Sequence, residues 1–292
     1  MITRRDAALH LGLFLAACAT TTWYGGPAFA ATLMGILTCH ELGHFFVGLH
    51  HEVDVSLPYF IPTPPQLTLG TLGAVIRMRT QIKDRGALFD VGASGPIAGL
   101  VVAIPLLVLG LHLSHIGPVG PDDYLEGNSI LYALLKRIVF GAWYPQHGWD
   151  VQLHPVAQAA WVGLLITMIN LIPIGQLDGG HIARAVLGNR HERWSRRLHI
   201  ALPVVGLVVG TSMFLAARSV GNSLLDAAEY AMNGALPWLV WTVLLAVLRR
   251  QSGEYHPPVG EEPLPRSRKL AAAGMLLVFL AIATPVPFRP AL

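Results

Sequence analysis

Residues 40–44 of this 292-residue chain read His-Glu-Leu-Gly-His, and they lie within an apolar run from Phe29 to Leu49. Two histidines four residues apart project from the same face of a helix, where both imidazoles can bind one zinc ion. The glutamate after the first histidine can activate a zinc-bound water. Because ionisable groups are costly in hydrocarbon, their presence in an apolar segment indicates a functional site. The sequence therefore predicts hydrolysis by a metal held within a membrane.

The composition predicts an all-α polytopic membrane protein. Hydrophobic residues make up 53% of the chain and charged residues 13%, whereas soluble domains carry roughly 25% charged residues. The net charge is +3, but the basic residues lie at the ends of apolar segments and form no soluble patch, so we expect a lipid bilayer and no nucleic acid as partner. About seven stretches can approach or cross a hydrocarbon core of about 30 Å. They are residues 7–24, 27–49, 87–112, 154–174, 199–217, 234–248 and 270–287.

The distribution of basic residues predicts the orientation of these segments. Arg4 and Arg5 precede the first stretch, which favours a cytoplasmic N-terminus. Alternation from there places the loops 50–86, 175–198 and 249–269 inside, and the C-terminus outside. All but four of the 20 Lys and Arg residues then lie inside. We therefore expect the active site to face the cytoplasmic half of the membrane.

Three segments between the apolar stretches have a distinct character. Residues 54–80 are rich in proline and then β-prone and glycine-spaced, which predicts a small membrane-associated β segment of one or two strands, including Leu67. Residues 129–142 predict an interfacial helix within a polar loop. Residues 250–268 are rich in proline and charge and predict a flexible linker.

A catalytic zinc ion needs a third protein ligand, and Asp178 is the best candidate. It follows an apolar segment that ends on the same predicted side as His44, and both positions lie roughly 10 Å or less from the inner ends of their segments. Gly179 and Gly180 would allow a tight turn that aims the carboxylate at the metal. Alternatively, Asp178 caps a helix that begins near Gly180. The sequence leaves both interpretations open.

Together these motifs resemble the site-2 protease family of intramembrane zinc metalloproteases. The resemblance covers about residues 27–190 and implies a three-helix catalytic core there, between an N-terminal transmembrane helix at 1–26 and C-terminal transmembrane helices at 191–292. Residues 58–90 are similar to the branch without PDZ domains, which is found in bacteria and plant chloroplasts. The motifs are His40-Glu41-Leu-Gly-His44, Gly95-Pro96 within residues 91–99, Asn170-Leu-Ile-Pro173 and Leu177-Asp178-Gly179.

The resemblance implies a role for each motif residue. His40, His44 and Asp178 would hold Zn²⁺. Glu41 would be the general base toward the metal-bound water and then the proton donor to the leaving amine. Asn170 would stabilise the oxyanion, although an interhelical hydrogen bond explains it equally well.

The family implies a metalloendopeptidase of regulated intramembrane proteolysis in a bacterial inner membrane. Its substrates would be single-span membrane proteins that another protease has already cleaved. Two other functions remain open. A metal-ion transporter also places His and Asp within the membrane, but it does not require Glu41 directly after the first histidine. A catalytically dead membrane scaffold would not need the complete set of four core residues. The sequence does not specify the oligomeric state.

Overall fold

The computed structural model describes residues 4–66, 68–120 and 123–291 and confirms an all-α polytopic membrane protein. Short strands accompany the helices, and Leu67 of the expected β segment lies outside the described residues. The helices are α1 (Arg4–His50), α2 (Arg85–Leu113), α3 (Ile130–Phe140), α4 (Pro155–Asn170), α5 (Asp178–Leu187), α6 (His191–Ser219), α7 (Leu224–Ser252) and α8 (Arg266–Ile282). The strands are β1 (Tyr59–Pro62), β2 (Thr71–Val75), β3 (His115–Pro118), β4 (Tyr124–Glu126), β5 (Trp149–Gln152) and β6 (Phe288–Pro290).

Helix α1 consists of two helices that meet at Gly26. The backbone there has φ 81° and ψ 175°, a conformation that glycine adopts without steric cost. Pro27 follows and has no N–H to continue the helical hydrogen bonds. The break separates the apolar stretches 7–24 and 27–49, as the sequence predicts. Each half has about twenty residues, enough for a length of about 30 Å.

Within the described part of the chain, four helical segments are long and apolar enough to cross a membrane by length and composition. They are Asp6–His50, Arg85–Leu113, Asp178–Ser219 and Leu224–Arg250. Helix α4 has only 16 residues, so its length is about 24 Å, less than a hydrocarbon core of about 30 Å. The predicted number of about seven crossings therefore stays a prediction.

Loops that the sequence places on one side of the membrane contact each other. Strand β6 pairs antiparallel with β4, so the C-terminal residues meet the loop between α2 and α4. At the opposite end, the Nε atom of Arg85 donates to the carbonyl of Gly260 at 2.8 Å. Both contacts agree with the alternating arrangement of the segments.

Residues 253–265, which connect α7 to α8, are irregular in conformation but buried in part. Tyr255 and His256 are each only 4% exposed. Nδ1 of His256 donates to the Pro257 carbonyl, so its Nε2 accepts from Nδ1 of His181, 2.7 Å away. Burial lowers the pKa of His256 to about 4, which keeps the ring neutral and suited to this bond. The connection lies where the sequence predicts and makes these buried contacts, and its flexibility stays a prediction.

Strands β1 and β2 form the predicted hairpin, with Tyr59 opposite Val75. The hairpin packs along the first half of α1. Nδ1 of His10 donates to the Pro58 carbonyl at 2.9 Å, and the Thr20 hydroxyl donates to the Gly70 carbonyl at 2.6 Å. Ten residues of helix span about 15 Å. The hairpin therefore runs along about half the thickness of the expected hydrocarbon core.

Candidate metal centre

The side chains of His40, His44 and Asp178 meet, although Asp178 lies more than 130 residues away in the chain. Nε2 of His40 is 3.1 Å from Oδ2 of Asp178, and Nε2 of His44 is 3.2 Å from Oδ1. The two imidazole Nε2 atoms are 3.2 Å apart. Both histidines are buried. One donor atom from each residue therefore converges on a single point.

These separations are compatible with a zinc ion bound between the three side chains. Zinc ligands lie about 2.0–2.2 Å from the ion in tetrahedral geometry, which separates neighbouring ligand atoms by about 3.3 Å. The three donor atoms all lie within 4.8 Å of one another. Two imidazoles and one carboxylate form a donor set typical of catalytic zinc, with a fourth position left for water. The residues present therefore fit a zinc ion.

A contact with α2 fixes the orientation of the His44 ring. Its Nδ1 donates to the carbonyl of Val91 at 2.8 Å. Because Nδ1 carries the proton, the Nε2 atom has a free lone pair. This atom points at the other two ligands. Metal-binding histidines are commonly oriented in this way by a carbonyl on their second nitrogen.

Glycines on one face of α2 allow both histidines and α5 to approach. A Cβ atom at Gly95 would overlap the imidazole of His44, including its Nε2. A Cβ at Gly99 would lie 3.1 Å from Nδ1 of His40, and one at Gly92 would lie 2.8 Å from Cβ of His181. The sequence motif around Gly95-Pro96 therefore serves close packing around the ligand cluster.

Asp178 is the first residue of α5, and it is not acting as a helix cap. The residue that precedes the helix is Leu177, and no side-chain capping hydrogen bond is present there. The two glycines that follow do not form the expected turn, since neither has a positive φ. They allow the loop that joins α4 to α5 to approach the helix closely. A Cβ at Gly179 or Gly180 would overlap carbonyl oxygens of the loop that joins α4 to α5.

Glu41 is 4% exposed and is held by the hairpin. The backbone of Ile76, directly after β2, lies close to its carboxylate. The sequence gives no signal for this contact, because it joins a helix residue to a strand end through tertiary packing. The hairpin therefore positions the residue expected to act as the base.

Asn170 is the last residue of α4 and is half-buried, but it is not part of the ligand cluster. Its expected role at the oxyanion stays a prediction.

His51 lies beside Asp90 and not in the ligand cluster, with 3.0 Å between its Nε2 and Oδ2 of Asp90. Arg268 donates two further hydrogen bonds to the same carboxylate. Cys39 does not join the metal ligands among the described residues.

A cavity of about 860 Å³ lies next to this centre. Residues 75–82, which include Ile76, line one wall of the cavity. Gln176, His181, His256 and Pro257 line the other. The connection between α7 and α8 thus forms part of the cavity wall, which the sequence did not indicate.

Replacing Gly95 with alanine is expected to disrupt the metal centre, because the new Cβ occupies the volume of the His44 ring. We expect zinc affinity to fall about 10- to 100-fold. Gly35→Ala is the matched control, since a Cβ there meets no atom within 4 Å. Metal analysis of both purified variants, with size-exclusion chromatography as a check of folding, measures the effect. Wild-type zinc affinity in Gly95→Ala would contradict this packing.

The model of peptidase family M50 matches residues 28–213. Three curated plant relatives are similar to the chain. "Probable zinc metalloprotease EGY1, chloroplastic" of Arabidopsis thaliana is 32% identical over 73% of this chain and 35% of its own length. Its namesake in Oryza sativa subsp. japonica is 34% identical over 53% of this chain and 27% of its own length. "Probable zinc metalloprotease EGY2, chloroplastic" of Arabidopsis thaliana is 29% identical over 90% of this chain and 41% of its own length.

The matches confirm the family that the sequence motifs indicate, and the family model spans both expected metal-binding motifs. The chain spans about a quarter to two-fifths of the length of these relatives. The family match alone covers more than half of the 292 residues. The chain belongs to peptidase family M50.

Proposed function

We propose that this protein is a zinc-dependent endopeptidase that hydrolyses peptide bonds in or near transmembrane segments of membrane proteins. One observation carries the proposal. The ligand cluster of His40, His44 and Asp178 is built on apolar helices, directly beside a buried glutamate. The names of the plant relatives, which describe zinc metalloproteases, support the same reaction.

The proposed mechanism assigns proton transfer to Glu41. A bound zinc ion would polarise the peptide carbonyl and make its water more acidic. Glu41 takes the proton from the attacking water and then gives it to the leaving amine. The backbone of Ile76 lies close to the carboxylate and restricts its position for both transfers. Asn170 is our candidate for stabilising the oxyanion.

Substrate is proposed to bind as an extended strand along β2. An intact helix hides its carbonyls, so a segment must unwind before it can be cleaved, and its freed backbone groups then need partners. Strand β2 belongs to a two-stranded sheet and pairs with β1. Leu72 and Val75 of β2 are 67% and 52% exposed. Strand addition at its second edge would lead the substrate backbone to Ile76 and Glu41.

The substrates we propose are single-span proteins that another protease has already trimmed, as in regulated intramembrane proteolysis. The cavity beside the metal centre lies between the hairpin and the connection from α7 to α8. A folded domain close to the substrate segment would collide with these two walls. Prior removal of such a domain would relieve the collision.

We further propose a bacterial inner membrane location, with the metal centre in its cytoplasmic half. The excess of Lys and Arg in the loops 50–86, 175–198 and 249–269 supports this orientation. The plant relatives carry chloroplastic names. A reporter fused in the loop 113–153 should be detected outside the cell, and one in 184–197 inside. The reverse pattern would overturn the orientation.

Replacing Glu41 with glutamine should abolish cleavage and leave zinc bound, because the amide has nearly the same shape but cannot accept the proton. Loss of a general base lowers turnover by about 10²–10⁴-fold. The control is Glu229→Gln, which changes an exposed glutamate on α7. Cleavage of a tagged single-span substrate in vesicles is the measurement. Near-normal turnover would remove Glu41 as the base, and zinc uptake by the same vesicles without cleavage would favour a transporter.

Proline at the free edge of β2 should impair cleavage without loss of zinc. Adjacent residues of an antiparallel strand direct their N–H groups alternately toward the partner strand and away from it. Proline has no backbone N–H, so one of Ala74→Pro and Val75→Pro removes an N–H donor from the free edge of β2. The other removes an N–H that bonds to β1 within the hairpin. We expect the edge variant to lose at least about tenfold in turnover while its zinc content stays that of the wild type. Full activity with proline at positions 72, 74 and 75 in turn would rule out strand addition.

A further inference from the structure

Two hydrogen-bonded histidines, His181 and His256, line one wall of the cavity of about 860 Å³ beside the metal centre. His181 belongs to α5, and His256 belongs to the connection between α7 and α8. Neither joins the group of metal ligands found in the described part of the chain. The proposed mechanism gives them no role, although a few convergent polar groups on a cavity wall commonly orient a ligand.

Hydrogen bonds fix which ring nitrogens of the pair carry protons. The carbonyl of Pro257 can only accept, so Nδ1 of His256 carries a proton. A neutral imidazole has a single N–H, so Nε2 of His256 accepts, and Nδ1 of His181, 2.7 Å away, donates. By the same rule, Nε2 of His181 has no proton and keeps a free lone pair. His181 therefore offers the cavity an acceptor and not a donor.

The Nε2 atom of His181 is open to the cavity. It has no hydrogen-bond partner among residues 4–66, 68–120 and 123–291, and it is not one of the fully buried atoms that lack a partner. Nδ1 of the nearby His191, in contrast, is unpaired and fully buried. Both nitrogens of His256 are already occupied. The lone pair of His181 is therefore the acceptor of this pair that a ligand can reach.

Packing holds His181 in place on the same helix face as Asp178. Three residues separate the two positions on α5, so their side chains are neighbours on the helix surface. A Cβ atom at Gly92 of α2 would lie 2.8 Å from Cβ of His181, so the two helices enclose the stem of the side chain. The residue is 8% exposed. An acceptor held in this way loses little freedom when it binds a ligand.

We propose that Nε2 of His181 accepts a hydrogen bond from a backbone N–H of the bound substrate strand, and that His256 positions it for this contact. The inference rests on the proposed function. Val75 of β2 lines the same cavity. A strand added to β2 directs its N–H groups alternately toward β2 and away from it. Those directed away need acceptors within the membrane, and His181 supplies one on the other wall. A role as donor to the oxyanion does not fit this tautomer.

Peptide binding without cleavage tests the contact. The protein is the full chain carrying Glu41→Gln in detergent micelles. The probe is a synthetic peptide of about 20 leucine and alanine residues, long enough to span a membrane, with two central glycines and lysines at both ends. In each of a series of versions, one central backbone N–H is replaced by an ester oxygen, which cannot donate a hydrogen bond. We expect several versions to bind about three- to tenfold more weakly than the parent peptide.

The variant His181→Leu identifies the version that concerns this residue. We expect it to abolish the loss caused by one ester and to leave the losses caused by its neighbours, which face β2. The matched control is His112→Leu, which changes an exposed histidine of α2 and should leave the whole pattern unchanged. The same losses at every position in His181→Leu, or no saturable binding of the parent peptide, would overturn the proposal.

Two variants of His256 test the positioning role. His256→Leu removes the acceptor that keeps the proton on Nδ1 of His181, and we expect it to weaken binding of the parent peptide about three- to tenfold. His256→Gln provides a carbonyl oxygen instead and should restore binding. Equal binding by these two variants would overturn the role of His256. If His181→Leu does not fold, as judged by size-exclusion chromatography, the ester series in His256→Leu decides.

Cleavage of the parent peptide by the chain with Glu41 intact separates this inference from the proposed function. A contact made equally with the bound substrate and with the transition state changes KM alone. We therefore expect His181→Leu to raise KM about three- to tenfold at unchanged kcat. A fall in kcat at unchanged KM would overturn the binding role. The expected ester pattern without any cleavage would support the contact and count against the proposed function.

Discussion

The convergence of two imidazoles and one carboxylate between apolar helices is the interaction on which the rest of the structure depends. The two Nε2 atoms lie 3.2 Å apart, and each lies within 3.2 Å of one oxygen of Asp178, so a shared cation would stabilise this buried group. The glycine face of α2 makes this approach possible, because a side chain at Gly95 would displace the His44 ring. Metal binding and helix packing are therefore two aspects of one arrangement.

The depth of the site follows from the short α4. This helix ends at Asn170 after 16 residues, and an irregular loop then leads to Asp178. Non-helical backbone at membrane depth is tolerated where it is buried in protein or lines a water-filled cavity. The loop packs against Gly179 and Gly180, and the large cavity begins beside it at Gln176. A shorter helix thus leaves space for the water that the proposed hydrolysis would consume.

Local sequence predicted the parts of the fold that depend on local chemistry. The spacing of His40 and His44 gave their shared helix face. The gap between the apolar stretches 7–24 and 27–49 coincides with the break in α1, and residues 54–80 predicted one or two short strands. Asp178 was found because its segment ends at the same depth as His44. Other features depend on contacts between distant residues and left no local signal. These are the proximity of Ile76 to Glu41, the docking of Tyr255 and His256, and the pairing of β4 with β6. The prolines and charges of residues 250–268 suggested flexibility. Composition does not reveal that a tyrosine and a histidine of this segment fit a buried surface on α5 and α6.

X-ray absorption at the zinc edge of the purified protein reports directly on the atoms that ligate the metal. The account predicts a first shell of nitrogen and oxygen only, with two imidazoles at about 2.0–2.1 Å and oxygen ligands at about 2.0–2.2 Å. The imidazole signal should halve in His44→Ala. Cys39, adjacent to His40 in the chain, provides the sharpest contrast. A sulfur ligand at about 2.3 Å, or an unchanged imidazole signal in His44→Ala, would contradict the assignment of His40, His44 and Asp178 as the metal centre.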